Sequence, residues 1–171
     1  MNDAMNGQPP VVEQPAANTE LKNLVDTFNN GVSWFFFVAG LSVVNSLLVL
    51  FGADWSFIFG LGITQIFDGI AIAVAIAGEM GAGAGIWIVR GIVFVFNLAI
   101  AGFFVLFGWL SKKGYGAAFL IGIVLYVLDG LLFLVFRDWM GLAFHALAVF
   151  LMVRGYLALR KLRALQLQGA Q

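Results

Sequence analysis

Four ionisable side chains interrupt long apolar stretches of this sequence: Asp68, Arg90, Asp129 and His145. Within a membrane such groups are costly, and they either pair with one another or mark a path for protons, ions or substrate. At about 1.5 Å of rise per helical residue, all four are predicted to lie at one depth, within a single leaflet. This spacing predicts two pairs, Asp68–Arg90 and Asp129–His145.

Two interpretations of this polar layer remain open. As structural pairs, the four groups would hold the register of neighbouring helices, with Gly69 and Gly130 allowing close approach beside them. As a functional layer, they would form a proton or ion path, or a pocket for the head group of an anionic lipid or solute. In that case an acidic partner would make His145 a proton carrier.

Polar side chains one helical turn from each aspartate extend the candidate site. Thr64, Gln65 and Asp68 share one face of a helix, and Tyr126 lies three residues before Asp129. The stretch around Gln65 is the most polar one within apolar sequence. It is therefore the first candidate for a cavity.

A second set of polar residues is predicted to serve helix packing. Ser42, Asn45 and Ser46 fall on one helical face, and Asn97 is expected at the same depth as Asn45. Hydrogen bonds between such side chains in membranes contribute about 0.6–2 kcal/mol each. We expect these four residues to join helices rather than to bind a ligand.

The elements that must position these residues are long and apolar. Of 171 residues, 62% are hydrophobic and 11% are charged, and the mean hydropathy is +0.99. About 20 such residues are enough to cross a membrane as a helix. The sequence predicts an all-α, polytopic transmembrane bundle over 31–158, with five spans at about 33–52, 56–77, 84–110, 115–136 and 139–158. A re-entrant second segment would leave four spans.

The regions outside the bundle are polar. Residues 1–30 are predicted to form a polar tail with a short amphipathic helix over 18–28, and residues 159–171 a basic tail. Matching Asp-Gly pairs at Asp68-Gly69 and Asp129-Gly130 suggest an internal repeat of two helical hairpins followed by a fifth helix.

Lysine and arginine placement predicts the orientation. With five spans, the loop at Lys112-Lys113 and the basic tail share one face, and loops rich in these residues stay in the cytoplasm. We expect the N-terminus outside and the C-terminus inside, in a bacterial cytoplasmic membrane.

Several function classes are excluded by composition. The chain has no cysteine and one histidine, so neither a metal centre nor a cofactor is expected, and nine acidic residues balance nine basic ones, which disfavours nucleic acid as a partner. No nucleophile–base set is visible. We expect a non-enzymatic structural or accessory membrane component, in contact with lipid and with a second copy or another membrane protein. The alternative is a small permease or ion/proton channel that uses the Asp/Arg/His layer.

Overall fold

The computed structural model describes residues 14–51, 60–79 and 85–168. These residues form five α-helices and no strand, which confirms the predicted all-helical bundle. Four of the helices are long and apolar enough to cross a membrane, whereas the second has only a shorter apolar segment, Gly62–Val74. The helices are α1 (Gln14–Leu50), α2 (Gly62–Glu79), α3 (Gly85–Lys112), α4 (Gly116–Val135) and α5 (Trp139–Gln168).

The second helix begins inside the bundle. The backbone N–H of Leu61, just before α2, donates to the hydroxyl of Ser42 in α1 at 2.7 Å. Ser42 lies eight residues before Leu50, so α2 begins about 12 Å short of the end of α1. The four helices that are long and apolar enough to cross a membrane therefore match the four-span alternative, in which the second segment enters the bundle without crossing it.

The direction of α2 follows from its contacts with α1. Further along both helices, Ser46 contacts Asp68, and Val49 packs with Ala71. Residue numbers rise together, so α1 and α2 run in the same direction. They do not form a hairpin, and the predicted repeat of two hairpins is wrong.

The three later helices alternate in direction. Asn97 of α3 contacts Ser46, and Gly108 of the same helix meets Phe35, so α3 runs antiparallel to α1. Short turns then reverse the chain from α3 to α4 and from α4 to α5. Gly114 and Arg137 take the left-handed conformation in these turns, at φ +87° and +57°.

The beginning of α1 and the end of α5 lie at the same end of the bundle. Gly155 of α5 packs against Gly31 of α1, and the two helices are antiparallel. This arrangement differs from the expected placement of the termini on opposite sides, which requires an odd number of spans.

The predicted amphipathic helix over 18–28 is also not a separate element, because α1 continues unbroken from Gln14 to Leu50. At Gly31, just beyond this segment, a Cβ would lie 2.6 Å from the Cα of Gly155, so α1 and α5 are in close contact there.

An aromatic core holds the long helices together. Phe35 of α1, Phe119 and Tyr126 of α4 and Met152 of α5 are fully buried in one cluster. Phe35 and Phe119 meet edge to face at 5.4 Å between ring centroids. Many large apolar side chains on α3, α4 and α5 remain exposed, as expected where lipid is the solvent.

Candidate functional site

Asp129 of α4 caps the beginning of α2. Its Oδ2 accepts the backbone N–H of Gly62 at 2.7 Å, and its Oδ1 accepts that of Ile63 at 2.9 Å. The first N–H groups of a helix have no partner within the helix, and the helix dipole favours an anion at that end. A buried carboxylate therefore satisfies the intramembrane end of α2 from 67 residues further along the chain.

His145 of α5 completes this contact, and the predicted Asp129–His145 pair is present. Its Nε2 lies 3.0 Å from Oδ2 of Asp129, and its Nδ1 lies 3.0 Å from the carbonyl oxygen of Gly141. A carbonyl only accepts hydrogen bonds, so Nδ1 carries a hydrogen. Nε2 faces a carboxyl oxygen, and a hydrogen bond joins the two groups when either of them carries a proton at this position.

Two aromatic rings enclose the imidazole. Tyr126 stacks on His145 with 4.4 Å between centroids and an interplanar angle of 14°. The centroid of the Phe133 ring lies 4.5 Å from that of the imidazole, at an interplanar angle of 40°. The hydroxyl of Tyr126 is buried and has no hydrogen-bond partner among the described residues. These rings shield the pair from solvent, which strengthens its electrostatic attraction.

Asp68 of α2 is held by neutral donors. Its Oδ1 accepts from Nδ2 of Asn97 at 2.7 Å, and its Oδ2 accepts from the hydroxyl of Ser46 at 3.1 Å. The same Nδ2 lies 2.9 Å from Oγ of Ser46 and 3.3 Å from the carbonyl oxygen of Thr64. This cluster, which we call the Asp68 cluster, joins α1, α2 and α3.

The predicted Asp68–Arg90 pair is wrong. No Lys, Arg or His of the described residues, which include all those in the sequence, forms an ion pair with Asp68. Arg90 lies seven residues before Asn97 on α3, or about 10 Å along the helix. Its guanidinium carbon lies 5.7 Å from the ring centre of Trp87. The depth estimate failed because it assumed a helix beginning near residue 56, whereas α2 begins at Gly62.

The residues expected to serve only packing lie around the start of α2. Ser42 accepts the N–H of Leu61, and a Cβ on Gly60 would lie 3.1 Å from Oγ of Ser42 and 3.3 Å from Nδ2 of Asn45. Thr64 donates its hydroxyl to the carbonyl of Leu61 at 2.8 Å. Polar side chains thus surround the non-helical backbone at residues 60 and 61, just before α2.

Two cavities border the site. One, of about 410 Å³, lies between α2 and α4, and its lining includes Gly62, Gln65, Phe133 and Asp138. The other, of about 530 Å³, lies between α3 and α4, is mostly apolar and touches Asp129. A cavity is therefore present at Gln65, as its polar surroundings indicated, and it borders the first turn of α2.

Sequence reasoning missed two parts of the site. The backbone N–H groups of Gly62 and Ile63 carry no side-chain signal. Ser46 and Asn97 were assigned to packing, although both donate to Asp68. One available signal was Gly60-Leu61-Gly62 within an apolar stretch, because glycines often accompany breaks in membrane helices.

Four long apolar helices and a fifth that begins within the bundle define an integral membrane protein of the all-helical class. No protein-family model matches the chain, and neither a curated protein nor a solved structure matches it. The function is therefore inferred from the geometry of the site.

Proposed function

We propose that this chain is a small permease or ion/proton channel whose site is the intramembrane beginning of α2. The observation that carries the proposal is that α2 begins beside Ser42, about 12 Å short of the end of α1. Non-helical backbone at membrane depth is tolerated only where protein buries it or where it lines a water-filled cavity. Interrupted helices of this kind form the binding sites of many transporters.

The charges of the site favour a cation over an anion. The beginning of α2 would attract an anion, but the carboxylate of Asp129 already occupies that position. Asp68 adds a second buried carboxyl group, and the described residues supply no cation to pair with it. A passing ion therefore meets an environment that stabilises positive charge.

A structural or accessory role without enzymatic activity is the second candidate, and one observation favours it. The Asp129–His145 pair is satisfied on both sides and fastens α2, α4 and α5 to one another. Under this role the chain would associate with a second copy or with another membrane protein. Ala73 and Ala77 leave a small-residue face exposed on α2, where a helix could approach closely.

The arrangement of positive charges supports a specific orientation. Lys22, the turn at Lys112-Lys113 and the cations Arg160, Lys161 and Arg163 belong to the end of the bundle at which α1 begins and α5 ends. The opposite turn carries Arg137. We propose that both ends of the described chain face the cytoplasm of a bacterium.

Flux measurements in proteoliposomes test the proposed function. We expect the purified chain to pass protons, or else Na⁺, K⁺ or a small solute, faster than protein-free vesicles. Asp68→Asn should abolish the flux without loss of folded protein. Asp26→Asn makes the same chemical change on an exposed turn of α1 and should leave the flux intact. Absence of flux for protons, ions and small solutes alike would favour the structural role.

A further inference from the structure

The cavity between α2 and α4 has the size and lining of a site for a small organic molecule. Its volume is about 410 Å³, within the range of roughly 300–1,000 Å³ that such sites occupy. On the α2 side its lining extends from Gly62 to Ala73, or about 16 Å along the helix. On the α4 side it is lined by Leu132, Phe133 and Phe136, so most of the wall is apolar.

One carboxylate belongs to this apolar lining. Asp138 lies in the turn between α4 and α5, and its Oδ1 accepts the backbone N–H of Gly141 at 3.0 Å. The N-terminal end of α5 favours a negative charge at this position. Among the described residues, which include every Lys, Arg and His of the chain, none forms an ion pair with Asp138 or donates to its Oδ2. The cavity therefore has an acidic group whose counter-charge the described part of the chain does not supply.

This carboxylate lies where the membrane meets water. The 20 residues of α4 rise about 30 Å, which equals the thickness of the hydrocarbon core of a membrane. Asp138 follows the end of α4 by three residues and is half-buried, whereas Gly62 begins α2 inside the bundle. A molecule in the cavity would therefore have its body among apolar side chains within the membrane and one end at the interface.

We propose that the cavity between α2 and α4 binds a lipophilic organic cation, with its charged group at Asp138 and its apolar groups along α2. An anion of the same shape would bring like charges together, which disfavours its binding. Phe133 and Phe136 add aromatic rings, which attract organic cations such as quaternary ammonium groups. A metal ion fits less well, because hard cations take several oxygen ligands and Gln65 is the only other polar side chain in the described lining.

The inference rests on the proposed function only where it makes this cation the substrate. Gly62 lines the cavity, and its backbone N–H is the one that Oδ2 of Asp129 accepts. The cavity therefore adjoins the intramembrane beginning of α2, at which the proposed function places the site. Binding itself depends on the cavity and on Asp138, so it can be measured separately from transport.

Binding is tested on the purified full-length chain in detergent with two ions of closely similar shape and opposite charge, tetraphenylphosphonium and tetraphenylborate. Equilibrium binding of each radiolabelled ion is measured separately, with protein-free detergent as the blank. We expect saturable binding of the phosphonium ion and at least tenfold weaker binding of the borate ion. This comparison needs no variant, so it decides the question even where a variant fails to fold.

The role of the carboxylate is tested by removing its charge. Asp138→Asn should weaken phosphonium binding at least tenfold. Because asparagine caps a helix about as well as aspartate does, we expect this variant to keep the beginning of α5 and its Tm. The matched control is Asp26→Asn, the same chemical change on an exposed turn of α1, which should leave binding unchanged.

A variant that fills the cavity tests whether the cation lies inside it. Gly69 lines the cavity, and a Cβ there would meet nothing within 4 Å. Gly69→Leu should therefore occupy part of the cavity without a clash, weaken phosphonium binding at least tenfold and leave Tm unchanged or slightly raised. Gly91→Leu is the matched control, at a glycine of α3 outside the described lining where a Cβ also meets nothing within 4 Å. It should bind like wild type.

The outcomes separate this inference from its alternatives and from the proposed function. Equal binding of the two ions, or phosphonium binding that Asp138→Asn leaves unchanged, would overturn the inference and favour a lipid acyl chain as the occupant. Binding that is lost in Asp138→Asn but kept in Gly69→Leu would put the cation at the surface turn and overturn it as well. Saturable phosphonium binding without any flux in proteoliposomes would support the inference and contradict the proposed function. Flux without phosphonium binding would do the reverse.

Discussion

Gly31 of α1 and Gly155 of α5 face each other so closely that a Cβ on either would lie 2.6 Å from the Cα of the other. Cβ atoms do not approach backbone so closely. The two longest helices of the bundle, of 37 and 30 residues, cross at this pair.

Alanine at Gly155 should separate these helices. We expect Gly155→Ala to lower the free energy of unfolding by about 1–3 kcal/mol, the cost of overpacking a tight contact. The matched control is Gly40→Ala on α1, where a Cβ would meet nothing within 4 Å. There, the gain in helix propensity should stabilise slightly. Thermal unfolding in detergent measures both, and equal Tm values would argue against the close crossing.

The two buried aspartates should respond differently to the same substitution. Asp129→Asn replaces one of the two capping oxygens with an amide nitrogen, so one N–H group at the start of α2 loses its acceptor, which costs about 1–3 kcal/mol. Asp68→Asn can keep both contacts, because its amide oxygen accepts from Asn97 and its amide nitrogen can donate to the hydroxyl of Ser46, so folded yield should stay near wild type. Yield is measured by size-exclusion chromatography. If Asp129 and His145 interact, the losses from Asp129→Asn and His145→Gln should not add in the double variant, and fully additive losses would contradict the pairing.

Labelling can establish whether the two ends share one side. The chain has no cysteine, so single-cysteine variants are unambiguous. We expect Asn18→Cys and Gln168→Cys to react with an impermeant reagent from the same side of the membrane. Phe136→Cys, at the exposed end of α4, should react from the other side. Labelling of Asn18→Cys and Gln168→Cys from opposite sides would restore the five-span arrangement.

The first residue of α2 has no room for a side chain. A Cβ on Gly62 would lie 2.6 Å from a ring carbon of Phe133 and 3.1 Å from the carbonyl oxygen of Asp129. We expect Gly62→Ala to displace the start of α2 and to lower Tm. Leucine lacks the ring carbons involved, so Phe133→Leu should partly rescue Gly62→Ala.

The control for this pair of variants lies on the same helix. A Cβ on Gly69 would meet nothing within 4 Å, so Gly69→Ala should leave Tm unchanged or slightly raised. If Gly69→Ala lowers Tm as much as Gly62→Ala does, the loss does not come from the contact with Phe133.

The depth of each residue, estimated by counting residues from the end of its predicted helix, correctly predicted one of the two pairs. Asp129 and His145 lie on either side of a short turn that contains Asp138, and Oδ1 of Asp138 accepts the N–H of Gly141 at 3.0 Å. A short polar turn fixes the register of the two helices that it joins. Local spacing therefore indicated which residues of α4 and α5 would meet.

The other pair failed because α2 is positioned by distant residues. Its beginning is set by Asp129 and Ser42, and neither is near in sequence. Hydropathy cannot show where an apolar segment becomes helical when the cap comes from another helix. The role of Asn97 was missed for the same reason, since its partners were identified only once α2 was in place.

The cap on α2 also constrains the order of biosynthesis. Gly62 leaves the ribosome 67 residues before Asp129, a delay of about 3–13 s at typical translation rates of 5–20 residues per second. During that interval the beginning of α2 has neither its carboxylate nor the histidine that follows it. The capped conformation of α2 therefore cannot form until α4 and α5 have been made, so this chain cannot reach its folded state one helix at a time.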